Sequence, residues 1–171
     1  MPVWKVIDMY NAAVITVSDR CFSGEREDLS GPSIKTLLEQ HGYIVEQSLI
    51  IPDDRTKIKE AMNLCIDNDI SLIITTGGTG FSKKDITPEC TKEVIEREAP
   101  GISEYMRYRS MQITPRGMLS RGVSGIKNNS LIINLPGSPK AAVENLSVVI
   151  DSIEHGIKML LTSFADCANE S

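Results

Sequence analysis

Apolar residues fall either in short unbroken runs or at helical intervals, and the two patterns alternate along the chain. Ala12-Ala13-Val14-Ile15-Thr16-Val17, rich in branched side chains, reads as a strand buried on both faces that ends at Ser18-Asp19-Arg20. From Ser30, Gly31-Pro32 leads into Ile34, Leu37, Leu38 and His41 at helical spacing, and Gly42 stands where a left-handed cap belongs. Tyr43 to Ile51 predicts a second strand, stopped by Pro52. Asp54 to Asp67 predicts a second helix with Ile58, Ala61, Met62, Cys65 and Ile66 on one stripe. A third apolar run, Ile70-Ser71-Leu72-Ile73-Ile74, empties into Thr75-Thr76-Gly77-Gly78-Thr79-Gly80, whose glycines mark a loop. Thr87 as cap, Pro88 at the first helical position and Glu89 in the first turn predict a helix that stops before Pro100. A helix around Ile102 to Arg109 follows. Gly122 to Ile126 and Leu131 to Leu135 then read as short strands joined by Lys127-Asn128-Asn129-Ser130, the second broken by Pro136-Gly137.

The last element starts with Ser138 as cap and Pro139 inside it. Val143, Leu146, Ile150, Ile153, Ile157, Leu160 and Phe164 recur three and four apart, which predicts one long helix packed on the sheet; a coiled-coil seam is the alternative. Gly156 inside it costs about 1 kcal/mol relative to Ala, which reads as a demand for close packing. The polar tail over 165–171 is expected to fray. Strands alternating with helices imply an α/β three-layer sandwich with a mostly parallel central sheet flanked by helices. Such sheets bind ligands beyond the carboxyl ends of their strands, which narrows the search for chemistry to a few loops.

At 171 residues the chain is expected to form a single domain over 1–171. With 41% hydrophobic and 24% charged residues it is an ordinary globular sequence, neither disordered nor collagenous. A net charge of −5 and an aromatic content of 5% argue against a nucleic-acid partner, which needs cations for phosphates and rings for bases. Cys21, Cys65, Cys90 and Cys167 form no CxxC pair and have no nearby histidine, so they read as free thiols in a reducing compartment. Met1 to Asp8 mixes Trp4, Val6 and Ile7 with Lys5 and Asp8 and lacks the apolar core of a signal peptide, and no run approaches the roughly 18 apolar residues of a membrane span. The expected address is the cytoplasm, with no membrane partner.

Three loops carry candidate chemistry. Thr76 to Gly80 offers consecutive N–H groups on a backbone without bulky side chains, able to wrap phosphate oxygens; a plain tight turn is the other reading. It is not a Walker A loop, because Ser82 stands five after Gly77 where Gly-Lys-Ser/Thr is needed, and the first strand does not open into GxGxxG. Next, Ser82-Lys83-Lys84-Asp85-Ile86-Thr87-Pro88 sets two cations and an acid before a helix start, where Asp85 also reads as a simple helix-flanking acid. Asp53-Asp54 ends the preceding strand, so both acidic segments face one crevice. Asp54 is placed to cap the second helix, leaving Asp53 with Asp85 as the pair able to hold Mg²⁺, a hard cation that takes one or two protein carboxylates and shares phosphate oxygens. Finally, Asn134-Leu135-Pro136-Gly137-Ser138-Pro139-Lys140 brings a helix N-terminus to a strand end, a dock for phosphate or simply a good helix start. His41 and His155 read as solvent-exposed, and no Gly-x-Ser-x-Gly elbow supports a hydrolase.

Taken in order, Thr16-Val17-Ser18-Asp19-Arg20, Ser23-Gly24, Ile51-Pro52-Asp53, Thr75 to Gly80, Asp85-Ile86-Thr87-Pro88-Glu89 and Asn134 to Pro139 resemble the molybdopterin adenylyltransferase family, from about residue 10 to 162. The same domain opens the eukaryotic two-domain proteins that include gephyrin. The resemblance implies transfer of AMP from ATP, with Mg²⁺, onto the terminal phosphate of molybdopterin, releasing pyrophosphate in molybdenum cofactor biosynthesis. It implies Asp53 and Asp85 as catalytic and metal-handling acids. Ser18, Asp19, Gly77, Gly78, Gly80, Pro136, Gly137 and Ser138 match ligand-binding segments. Thr79, Ser110 and Ser120 match polar contacts to the pterin or its phosphate, and Asn134 a contact to the nucleotide. It further implies a homotrimer and a downstream molybdenum-insertion enzyme as partner. Relatives often carry Arg where Lys84 stands, which leaves open what Lys83 and Lys84 do beyond neutralising charge. A non-catalytic pterin-binding or trimeric scaffolding module of the same fold is the alternative, against which the presence of both acids argues.

Overall fold

The structure, a computed structural model, describes residues 9–162. Strand β1 (Asn11–Val17) leads through a single-turn helix α1 (Asp19–Phe22) to α2 (Ser30–Gln40), β2 (Ile44–Ile51), α3 (Arg55–Asp67) and β3 (Leu72–Thr76). Then come α4 (Thr87–Val94), β4 (Arg97–Glu98), α5 (Pro100–Ile113), a 3₁₀ turn over Pro115–Leu119, β5 (Ser124–Lys127), β6 (Ser130–Leu135), α6 (Pro139–Ser147) and α7 (Ile150–Leu161). The six strands form one sheet in the order β2-β1-β3-β6-β5-β4. Pairing is parallel across β2, β1, β3 and β6 and antiparallel across β6, β5 and β4.

The apolar runs are strands because they are buried twice. Alternate residues of β3 divide between two cores: Leu72 and Ile74 pack with Leu38, Leu146, Ile153 and Ile157, whereas Ile73 packs with Ile58, Met62, Cys65 and Val94. One layer therefore holds α2, α6 and α7, the other α3 and α4, which is the expected three-layer α/β sandwich. The expected small devices are present as well. Gly42 takes φ +84°, and the Asp54 side chain accepts from Lys57 N–H at 2.9 Å to cap α3. Burial raises the Cys65 thiol to about 11, which makes it an inert core residue.

Four details depart from the sequence reading. The long C-terminal helix is two helices, interrupted at Val148-Val149, where Val149 N–H bonds to Leu146 carbonyl in a tight turn and Val149 has φ −118°. Two adjacent β-branched residues are stiff at χ1 and resist helix propagation. The 3-4 spacing runs unbroken through the interruption, so Leu146, Ile150, Ile153 and Ile157 still enter one core rather than a coiled-coil seam; Phe164 lies outside the described residues. Thr87 is not a side-chain cap: Ile86 holds that position without a cap bond, and the Thr87 hydroxyl is buried without a partner. A two-residue strand, β4, stands where no strand was expected, pairing Arg97 with Ile126 and Glu98 with Gly125.

Gly156 is the fourth. It is exposed, and a Cβ there meets nothing within 4 Å, so close packing is not its reason. Gly156→Ala is therefore expected to stabilise the fold by about 0.5–1 kcal/mol through reduced unfolded-state entropy and better helix propensity. A higher urea midpoint at unchanged m-value checks this; a lower midpoint would show a packing role.

Candidate functional site

Beyond the carboxyl ends of β1, β3 and β6 lies a cavity of about 680 Å³. Its walls come from four segments: Thr16 to Ser18 at the end of β1, Arg26 to Ser30 before α2, Thr76 to Gly78 after β3, and Gly137 to Pro139 after β6, with Cys21, Asp53 and Asp85 completing it. This is where parallel α/β sheets offer strand ends and helix N-termini together.

The glycine loop has this shape because two backbones meet in it. Gly77 adopts φ +99° and donates its N–H to Leu135 carbonyl at 3.1 Å; a Cβ on it would lie 2.3 Å from Val17 carbonyl oxygen. Gly137 approaches from the other side, its Cβ position 3.2 Å from Gly77 Cα. Under this contact runs a hydroxyl network, with Ser30 Oγ 2.7 Å from Thr76 Oγ1, which donates to Pro136 carbonyl at 2.7 Å. Asp28 fixes the opposite rim by accepting from Thr16 Oγ1 at 2.7 Å and from Gly31 N–H at 3.0 Å.

Both acids reach this cavity from separate loops. Asp53 exchanges hydrogen bonds with Asp19: Asp19 N–H donates to Asp53 Oδ2 and Asp53 N–H to Asp19 Oδ1, each at 2.9 Å. Burial raises the Asp53 carboxyl above its ordinary range against the Asp19 N–H bond, and the charges of Asp19 and Asp85 push the same way as burial, with Lys84 opposing. Asp19 is held low, chiefly by a 2.7 Å bond from Lys84 Nζ. The Asp85 carboxylate accepts Ser82 N–H at 3.0 Å, which folds the segment after the glycine loop back on itself.

Of the site residues singled out in the sequence, Ser18, Asp53, Gly77, Gly78, Asp85, Gly137 and Ser138 line the cavity. Ser18 also caps α1 by accepting Cys21 N–H at 3.2 Å. Asp19, Thr79, Gly80 and Pro136 lie outside the lining, in backbone or side-chain contact with residues that form it or hold it. Asn134 is 2% exposed; its amide donates to Thr75 Oγ1 and Thr91 Oγ1 at 2.9 Å and its oxygen accepts Val123 N–H, so its polar groups are used inside the fold. Ser110 bonds Asn145 at 3.2 Å from α5, and Ser120 accepts Gly122 N–H at 3.4 Å, neither in the cavity wall. Lys83 and Lys84 are exposed, the latter committed to Asp19.

Two arginines were missed. Arg26 supplies a cation to the cavity wall. Arg121 clamps the glycine loop to α4: its guanidinium donates to Gly80 carbonyl at 2.8 Å, to Asp85 carbonyl and to Glu89, while its N–H bonds Thr79 carbonyl at 2.9 Å. Burial works to raise the Glu89 carboxyl, but the Arg121 bond and charge prevail and hold it low. A lone arginine paired with distant carbonyls leaves no local signal in a sequence.

The donors available to a cation are hard carboxylate oxygens. Asp53 Oδ2 is taken by Asp19, whereas Oδ1 lies 3.5 Å from the Cβ position of Gly78 on the cavity wall. Among the described residues no three acidic, His or Cys side chains gather as a metal cage. Mg²⁺ does not require one, since it keeps waters and shares phosphate oxygens. Two carboxylates whose mutual repulsion a divalent ion would relieve fit that cation.

The sheet with a glycine-walled, acid-lined cavity at its strand ends falls in a known class: residues 13–155 match the family described as "Probable molybdopterin binding domain", and the chain belongs to it. More particularly, it is 39% identical over 154 residues to the molybdopterin adenylyltransferase of Helicobacter pylori J99, covering 88% of each chain. It is 40% identical to the enzyme of that name from Haemophilus influenzae, covering 81% of this chain and 72% of that one. Among solved structures, the molybdopterin biosynthesis enzyme MoaB of Thermus thermophilus superposes with a TM-score of 0.85 at 40% identity, over 89% of this chain and 96% of that one. The Mog protein of Mycobacterium ulcerans gives 0.83 at 36%, over 88% and 99%. No helix among the described residues is long and apolar enough to cross a membrane.

Proposed function

We propose that the protein is a molybdopterin adenylyltransferase of molybdenum cofactor biosynthesis. The observation that carries this reading is that Asp53 and Asp85, from different loops, line one cavity walled by glycine backbone. In the reaction a terminal phosphate oxygen of molybdopterin attacks the α-phosphorus of ATP, the α–β anhydride bond breaks, and pyrophosphate leaves to give adenylyl-molybdopterin. Such transfers require little covalent work from the protein and depend on positioning and charge neutralisation. The glycine loop offers phosphate oxygens its N–H groups other than that of Gly77, which is bonded to Leu135 carbonyl; Ser18 and the Gly137-Ser138 turn complete the pocket, and Arg26 contributes positive charge at its rim. Asp53 and Asp85 hold Mg²⁺, which supplies Lewis-acid neutralisation of the phosphate charge. Thr79, through the bond its carbonyl accepts from Arg121 N–H, and Asn134, through Thr75, Thr91 and Val123, brace the segments behind this pocket.

The same reading makes the protein a cytoplasmic homotrimer that passes its product to a molybdenum-insertion enzyme. The named adenylyltransferases at 37–40% identity across most of the chain support it over a purely scaffolding role. The test is direct: purified protein given molybdopterin, ATP and Mg²⁺ is expected to form adenylyl-molybdopterin and one equivalent of pyrophosphate. Pterin binding by folded protein without any product would replace the enzyme with the scaffold.

A further inference from the structure

We propose that Asp19 and Lys84 form a positioning bracket that sets Asp53 against Asp85, Asp19 acting through its bonds to the Asp53 backbone and Lys84 rather than through contact with substrate. The inference rests on the adenylyltransferase reading for its kinetic consequence, but its geometry stands alone. Three chain segments meet here: the turn after β1, the turn after β2, and the loop between β3 and α4. Asp19 Oδ1 accepts Asp53 N–H at 2.9 Å, Asp53 Oδ2 accepts Asp19 N–H at 2.9 Å, and Asp19 Oδ2 accepts Lys84 Nζ at 2.7 Å. Lys84 directly precedes Asp85 in the chain. One carboxylate thus ties the segment carrying one acid to the segment carrying the other, across 34 and 65 positions of sequence. Asp19 itself stands outside the cavity wall while Asp53 and Asp85 form part of it. Lys84, already bonded and largely exposed, is a strut between loops and not a grip on phosphate.

Because a displacement of about 1 Å in a reacting constellation costs up to a hundredfold in rate, the bracket acts on turnover and leaves the fold alone. The first measurement is hydrogen exchange at the Asp19 and Asp53 amides in protein without nucleotide or metal. Both are expected to exchange at least about tenfold faster in Asp19→Ala and Lys84→Met than in wild type, and at the wild-type rate in Lys84→Arg, whose guanidinium still reaches the carboxylate. The second is steady-state kinetics. Lys84→Met is expected to lower kcat about tenfold with KM for ATP and molybdopterin within about threefold, Lys84→Arg to restore it, and Asp19→Ala/Lys84→Met to be no worse than Asp19→Ala. Unchanged amide exchange overturns the bracket. So do additive losses in the double variant or a rise in KM for ATP confined to Lys84→Met, which would place Lys84 on the nucleotide. Wild-type protein without turnover would defeat the enzymatic reading, while amide exchange would still decide the bracket.

Discussion

Asp85→Asn is expected to bind molybdopterin within about threefold of wild type and to lose AMP transfer by at least about a hundredfold. Asparagine keeps the size of the side chain, and its amide oxygen can still accept the Ser82 N–H that folds this segment. The loop therefore survives the substitution. The negative charge does not, and with it goes half of the carboxylate pair proposed to hold Mg²⁺ against the triphosphate. Pterin affinity and single-turnover rate, measured on the same preparation, separate the two effects. Wild-type turnover in Asp85→Asn would remove this acid from the reaction, and a loss of pterin affinity as large as the loss of rate would make it a binding residue instead.

Gly77→Ala is expected to cost at least about 2 kcal/mol of stability and to distort the cavity wall. Two independent demands meet at this residue. Its φ of +99° is one that L side chains rarely adopt, and an added Cβ would sit 2.3 Å from Val17 carbonyl oxygen, a backbone atom at the end of β1 that cannot swing aside as a side chain could. Relief requires the loop to move away from β1, which breaks the bond from Gly77 N–H to Leu135 carbonyl and separates Gly77 from Gly137. Urea unfolding gives the stability loss, and nucleotide titration gives the loss of affinity. Wild-type values in both would mean that the loop is free to relax, contrary to the packing seen here. Gly156 makes the contrast: there a Cβ meets nothing and alanine is favoured.

How far these features were legible before folding depends on their range. The runs in β1, β3 and β6 announce themselves because a strand covered on both faces must be apolar at successive positions. The glycine loop and the acid at Asp53 were legible because parallel strands deliver their following loops to the same edge of the sheet. The interruption at Val148-Val149 was hidden for the converse reason: a stripe spaced three and four apart looks the same whether one helix carries it or two helices continue it into one core. Arg121 was invisible, since its partners are the Gly80 and Asp85 carbonyls and Glu89, brought to it only by the docking of β5 beside β6. The bonds of the Asn134 side chain to Thr75 and Thr91 were equally invisible, since those partners come from β3 and α4.

By itself, then, the order of apolar and polar residues determined the layers, the parallel strands and the edge at which ligands bind, because periodicity and burial are local consequences of side-chain solvation. Only the tertiary structure decided which residues at that edge share a cavity, which acid is braced by which neighbour, and where a helix ends. Those outcomes depend on distances between segments far apart in the chain, and no local pattern encodes a distance.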